Sequence, residues 1–105
     1  MNLEELKEKL KKYQRKDIII TDHAEMQAIF REVELSEVKN NIINPDKLVY
    51  IEKQKAKNPN EEKYACYFAY SKNLCHEYVF TINGKIIIVT IIVINRNWQK
   101  IIERK

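Results

Sequence analysis

Within the stretch Thr21-Asp-His-Ala-Glu-Met-Gln-Ala-Ile-Phe-Arg31, three residues with chemically useful side chains recur every four positions: His23, Gln27 and Arg31. On a helix that spacing stacks an imidazole, an amide and a guanidinium along one polar face. An imidazole can take a proton from a hydroxyl, and a guanidinium can hold a phosphate and the charge that builds on it; an amide can bridge the two. The stripe is therefore equipped to bind or process an anion, with His23 as general base, Arg31 as phosphate ligand and Gln27 between them. A plain structural alternative has His23 bonded to a strand carbonyl, Arg31 paired with Glu34 or Glu77, and Gln27 at the surface.

Such a stripe needs a helix fixed from behind. Met26, Ile29, Phe30 and Val33 fall at the apolar interval of a helix seated on a core, so they are expected to form the inward face. Asp22 followed by Glu25 predicts a cap and a helix from His23 to about Glu32. Leu3, Leu6, Leu10 and Tyr13 predict an earlier amphipathic helix over about 2–14, with Glu4 and Glu5 near its N-terminus. Ser36 is a plausible cap for a third helix with Val38 and Ile42 inward, ended by Asn44-Pro45-Asp46. Between the first two helices, Asp17-Ile-Ile-Ile-Thr21 reads as an anchoring segment or a short edge strand.

The period then changes. Residues 47–53, 63–71, 74–83 and 85–94 are rich in β-branched and aromatic residues and read as strands joined by a polar loop (53–63) and two tight turns, of which Asn83-Gly84 is the stronger signal. Connections this short predict an antiparallel meander. The last strand, Lys85 to Ile94, is apolar on both faces, which predicts a central position or a dimer contact. Beyond it, 96–105 reads as a short helix returning Trp98 and Ile101 or Ile102 to the core. The fold class expected is thus α+β, N-terminal helices packed on a four-stranded antiparallel sheet.

Length and composition fit this frame. A chain of 105 residues, 45% apolar and 32% charged, is a single globular domain spanning 1–105. The N-terminus alternates charge with leucine and lacks the apolar centre of a secretory signal, and the longest apolar run is far short of the roughly 20 residues of a membrane span, so a soluble, cytoplasmic protein without a membrane role is expected. Abundant Ile and Lys with little Ala point to low-GC microbial coding, archaeal or bacterial. Net charge is +4, with +3 in residues 1–16 and +3 in 95–105, as an RNA-binding protein or an ordinary basic surface would have.

In element order and in motif, the chain resembles the RelE/ParE/BrnT toxin superfold, and within it a small uncharacterised microbial family whose signature begins His-Ala-x-x-Arg. The corresponding residues here are His23-Ala24, Gln27, Arg31, Val33, Val38 and Asn44-Pro45-Asp46, followed by the meander, over about residues 18–94. Gln27 stands where that family usually has arginine. The resemblance implies a RelE-like toxin or toxin-derived, metal-independent ribonuclease acting on messenger RNA at the ribosome, with an antitoxin as protein partner and no cofactor. The alternative class is a non-catalytic binding module that homodimerises, or grips a protein or nucleic acid, through its sheet.

Other residues carry weaker signals. Arg96, Trp98 and Lys100 lie where RelE-like toxins tend to place catalytic residues and are candidate RNA contacts, as are Lys55 and Lys57 beside strand tyrosines that could stack on bases. His76 shares its strand face with Leu74, Tyr78, Phe80 and Ile82, the pattern of a hydrogen-bonded core histidine. Cys66 and Cys75 have no metal-site spacing; they read as small buried residues or as a cross-strand disulfide.

Overall fold

The computed structural model describes residues 1–105. Asn2 caps the first helix, Leu3–Leu10 (α1), through a reciprocal capping box with Glu5. A helix of this length is marginal alone; Leu6 and Leu10, both fully buried, hold it against the sheet. Ile18–Ile20 (β1) is indeed an edge strand, but it runs parallel to the final strand, so the sheet has five strands rather than four and is mixed rather than antiparallel. Helices Asp22–Phe30 (α2) and Leu35–Ile43 (α3) follow, then strands Leu48–Gln54 (β2), Glu62–Ser71 (β3), Leu74–Asn83 (β4) and Lys85–Ile94 (β5), and helix Trp98–Glu103 (α4). The spatial order is β1-β5-β4-β3-β2.

Two local predictions shift. The cap of α2 is Thr21, whose hydroxyl accepts from Ala24 N–H, and α3 begins after Glu34 with no side-chain cap. Helix α2 stops two residues before the expected Glu32, and without a glycine: Glu32 takes φ 56°, Val33 N–H donates to Ala28 C=O at 2.8 Å and Glu32 N–H to Ile29 C=O at 3.2 Å. This paired closure satisfies the last carbonyls and turns the chain into α3.

The register assigns the faces. Leu48, Tyr64, Cys66, Phe68, Tyr78, Phe80, Ile82, Ile86, Ile88 and Ile91 point to the side covered by α1, α2 and α3, and form one core with Leu6, Leu10, Ala24, Ala28, Val38 and Ile42. On the reverse side α4 lays Trp98, Ile101 and Ile102 over Tyr50, Tyr67, Cys75, Ile92 and Ile94. An extra residue, Val89, in β5 opposite Val79/Phe80 switches which β5 residues point inward, from Ile86 and Ile88 to Ile91. Cys66 and Cys75 are both free and buried, but on opposite faces, which excludes the cross-strand disulfide. No helix is long and apolar enough to cross a membrane.

Candidate functional site

Helix α2 sits on the sheet by a different face from the one its apolar residues predict. Met26 and Ile29 are 70% exposed and Phe30 88%, whereas Ala24 and Ala28 are fully buried against β5. The reason is close approach. Beyond Ile20 the edge of β5 has no strand partner, and the Gln27 amide takes that place, its Oε1 accepting from Ile91 N–H at 2.8 Å. Only alanines leave the helix near enough for that bond. Of the predicted face, Val33 alone is buried.

Gln27 is therefore a structural residue and not a bridge between His23 and Arg31. Both of those side chains are exposed, and neither makes a hydrogen bond or ion pair within the chain. Replacing Gln27 by Leu should cost about 1–3 kcal/mol, because the Ile91 amide loses its partner under a helix; faster hydrogen exchange at Ile91 together with a lowered melting temperature would establish it.

The polar groups the fold does bring together lie between α3, β3 and β4. Asn41, buried in α3, donates from Nδ2 to the hydroxyls of Tyr70 at 2.8 Å and Tyr78 at 3.0 Å. The Tyr70 hydroxyl donates to Glu37 Oε2, one turn earlier on α3. His76 Nδ1 lies 2.8 Å from the Tyr78 hydroxyl, and its ring packs on Tyr70 with centroids 4.6 Å apart. Lys47, just after α3, sets its ammonium 5.3 Å from the Tyr70 ring centre, which brings a mobile cation within about 10 Å of the imidazole.

The proton directions follow from the anion at one end. A carboxylate only accepts, so Tyr70 O–H points to Glu37 and the Tyr70 oxygen accepts from Asn41. The Tyr78 oxygen accepts from Asn41 Nδ2–H, and its hydroxyl shares a second hydrogen bond with His76 Nδ1, whose direction is set by the tautomer of the ring. In the Nδ1–H tautomer, with Nδ1 donating to Tyr78, the lone pair of the imidazole lies on Nε2. That nitrogen has no hydrogen-bond partner in the chain and, since no buried side-chain nitrogen or oxygen is unsatisfied, it just reaches the surface, in a residue that is 5% exposed overall.

Electrostatics agree with this order. Burial lowers the pKa of His76, partly offset by the Glu37 charge, so the ring is neutral at pH 7. Burial and the bond to Glu37 push Tyr70 up to about 12, and burial pushes Tyr78 higher. Both phenols stay protonated at neutral pH. The arrangement is a neutral imidazole whose Nδ1 meets the Tyr78 hydroxyl, with Asn41 linking Tyr78 to the Tyr70–Glu37 pair, and whose Nε2 is unpartnered.

Of the remaining candidates, Arg96 and Lys100 come together with Arg104 around a shallow depression of about 250 Å³ that Asn97 and Ile101 complete. Trp98 does not join them: its Nε1–H donates to Ser71 C=O at 2.8 Å and its ring packs under α4. Lys55 and Lys57 are exposed in the β2–β3 loop, at the other end of β3 from Ser71. On the α4 side, burial pushes Glu77 up, while Lys105, paired with Glu52 at 3.5 Å, pulls it down. No three His, Cys, Asp or Glu side chains form a group able to hold a metal ion.

The sequence marked His76 as a core residue with satisfied hydrogen bonds, which holds for Nδ1, but missed its unpartnered Nε2 and the residues that Nδ1 meets. Asn41 on the inward side of α3, beside Val38 and Ile42, was the available signal: a buried amide must find partners. Comparison of the chain with known protein families, curated proteins and solved structures finds no match.

Proposed function

We propose that this chain is a small RNA-directed protein of the RelE-like toxin type, a metal-independent ribonuclease in which His76, rather than His23, is the general base. The observation that carries the reading is the neutral His76 imidazole with Nδ1 bonded to Tyr78 and Nε2 unpartnered near the surface. Nε2 takes the proton of a ribose 2′-hydroxyl, the 2′-oxygen attacks phosphorus, and the P–O5′ bond breaks as the 5′-oxygen takes a proton from water, leaving a 2′,3′-cyclic phosphate. The imidazolium formed in this step donates from Nδ1 to the Tyr78 hydroxyl and is stabilised by the nearby Glu37 charge. Lys47, whose ammonium lies over the Tyr70 ring that packs on His76, meets the phosphorane charge. The element order, with two helices between an edge strand and a meander, also supports the RelE-like reading.

Induced expression in bacteria should arrest growth and leave cut transcripts carrying 5′-hydroxyl ends. Lys47→Ala should relieve the arrest at least tenfold, while His23→Ala and Arg31→Ala leave it intact. Relief by the α2 variants alone would return the site to that helix, and intact messages with normal growth would sink the ribonuclease reading. The competing reading, a non-catalytic binding module, is favoured by the apolar residues that α2 leaves in water. A dimer through β5 has less support, because that strand is flanked by β1 and β4 and capped by helices on one face.

A further inference from the structure

We infer that the outward face of α2 is a docking surface for a cationic amphipathic helix of another protein. Met26, Ile29 and Phe30 follow one another at i, i+3 and i+4 and are 70%, 70% and 88% exposed, while the helix is already fixed to the sheet by Ala24, Gln27 and Ala28. Folding does not need these three side chains. Together they present on the order of 400 Å² of apolar surface, the size at which a patch on a monomer marks an interaction site. Their spacing is that of anchors read by a helix laid alongside.

The rim identifies the partner's charge. Residues 21–34 carry Asp22, Glu25, Glu32 and Glu34 against Arg31 alone, a net −3 in a chain whose other residues sum to +7. All four carboxylates are exposed, and none is engaged in an ion pair. Such a rim repels RNA and anionic lipid and attracts lysine or arginine. A second copy fits poorly, because α2 against α2 would oppose like charges. The chain's own basic helix α1 cannot serve from another copy, since Leu6 and Leu10 are fully buried in its fold. A single basic helix with an apolar stripe matches both area and charge.

The test is fluorescence anisotropy with a labelled Leu/Lys peptide of helical period, set against a scrambled Leu/Lys peptide and a Leu/Glu peptide. The periodic cationic peptide should bind with Kd in the micromolar range, more than tenfold weaker to Phe30→Ser and at least threefold weaker to Glu25→Lys, with circular dichroism unchanged because both residues are exposed. Equal binding by Phe30→Ser, or equal binding of either control peptide, would overturn the assignment. So would a dimer in sedimentation that Phe30→Ser dissolves, which would make a second copy the occupant.

Discussion

His76→Gln should lower RNA cleavage by about 10²–10⁴-fold, the usual contribution of a positioned general base. Glutamine approximates the length of the ring and can still bond the Tyr78 hydroxyl, so the loss is chemical, and an unchanged near-ultraviolet spectrum separates it from unfolding. The same residue fixes the pH profile. Burial holds its pKa below the 6.5 of a solvated imidazole, so cleavage should be flat through neutral pH and fall only once pH drops below 6.5. Stability follows the same sign: in the window between the folded pKa and 6.5 the unfolded chain binds the extra proton, so the domain loses stability as pH falls from 6.5 to the lowered value. His76→Gln should flatten that part of both curves. A pH profile that the variant leaves unchanged would show that another group is the base.

The second large effect is in the core. Phe80→Ala should cost about 3–5 kcal/mol, against a total stability of about 5–15 kcal/mol for a domain of this size. Phe80 is fully buried, faces the helices, and pairs across the sheet with Tyr64 on β3 and Ile88 on β5. Its removal opens a cavity beside the Val89 bulge, where the ladder is already interrupted and least able to close in. Thermal unfolding should shift down by more than about 10 °C. Phe30→Ser, the same residue type at 88% exposure, should move it by little. A shift of similar size in both would mean that α2 packs on the sheet by its apolar stripe after all.

The strands illustrate what can be read directly. Residues 74–83 and 85–94 form β4 and β5 with the bounds their composition predicts, and the chain reverses at Gly84, φ +72°, with Asn83 and Lys85 paired across it. Side-chain alternation and turn chemistry are properties of neighbours in the chain. The same holds for α1, whose leucines point where their spacing says.

Helix α2 marks the limit of that logic. Its sequence offers two candidate inward faces, Met26-Ile29-Phe30 and Ala24-Gln27-Ala28, and area alone favours the first. The second wins because the unpaired edge of β5, some sixty residues away, requires a donor–acceptor partner, and the backbone must come close to supply it. The His76 network is likewise out of reach: Glu37 and Asn41 come from α3, Tyr70 from β3, His76 and Tyr78 from β4. Each looks ordinary where it stands in the chain. The sequence by itself determined the helices, the strands and their pairing as a meander, since those follow from local periodicity. Only the tertiary structure decided which side of α2 meets water, where the fifth strand joins, and that one nitrogen of a buried histidine remains unpartnered, since each depends on groups that folding alone brings within bonding distance.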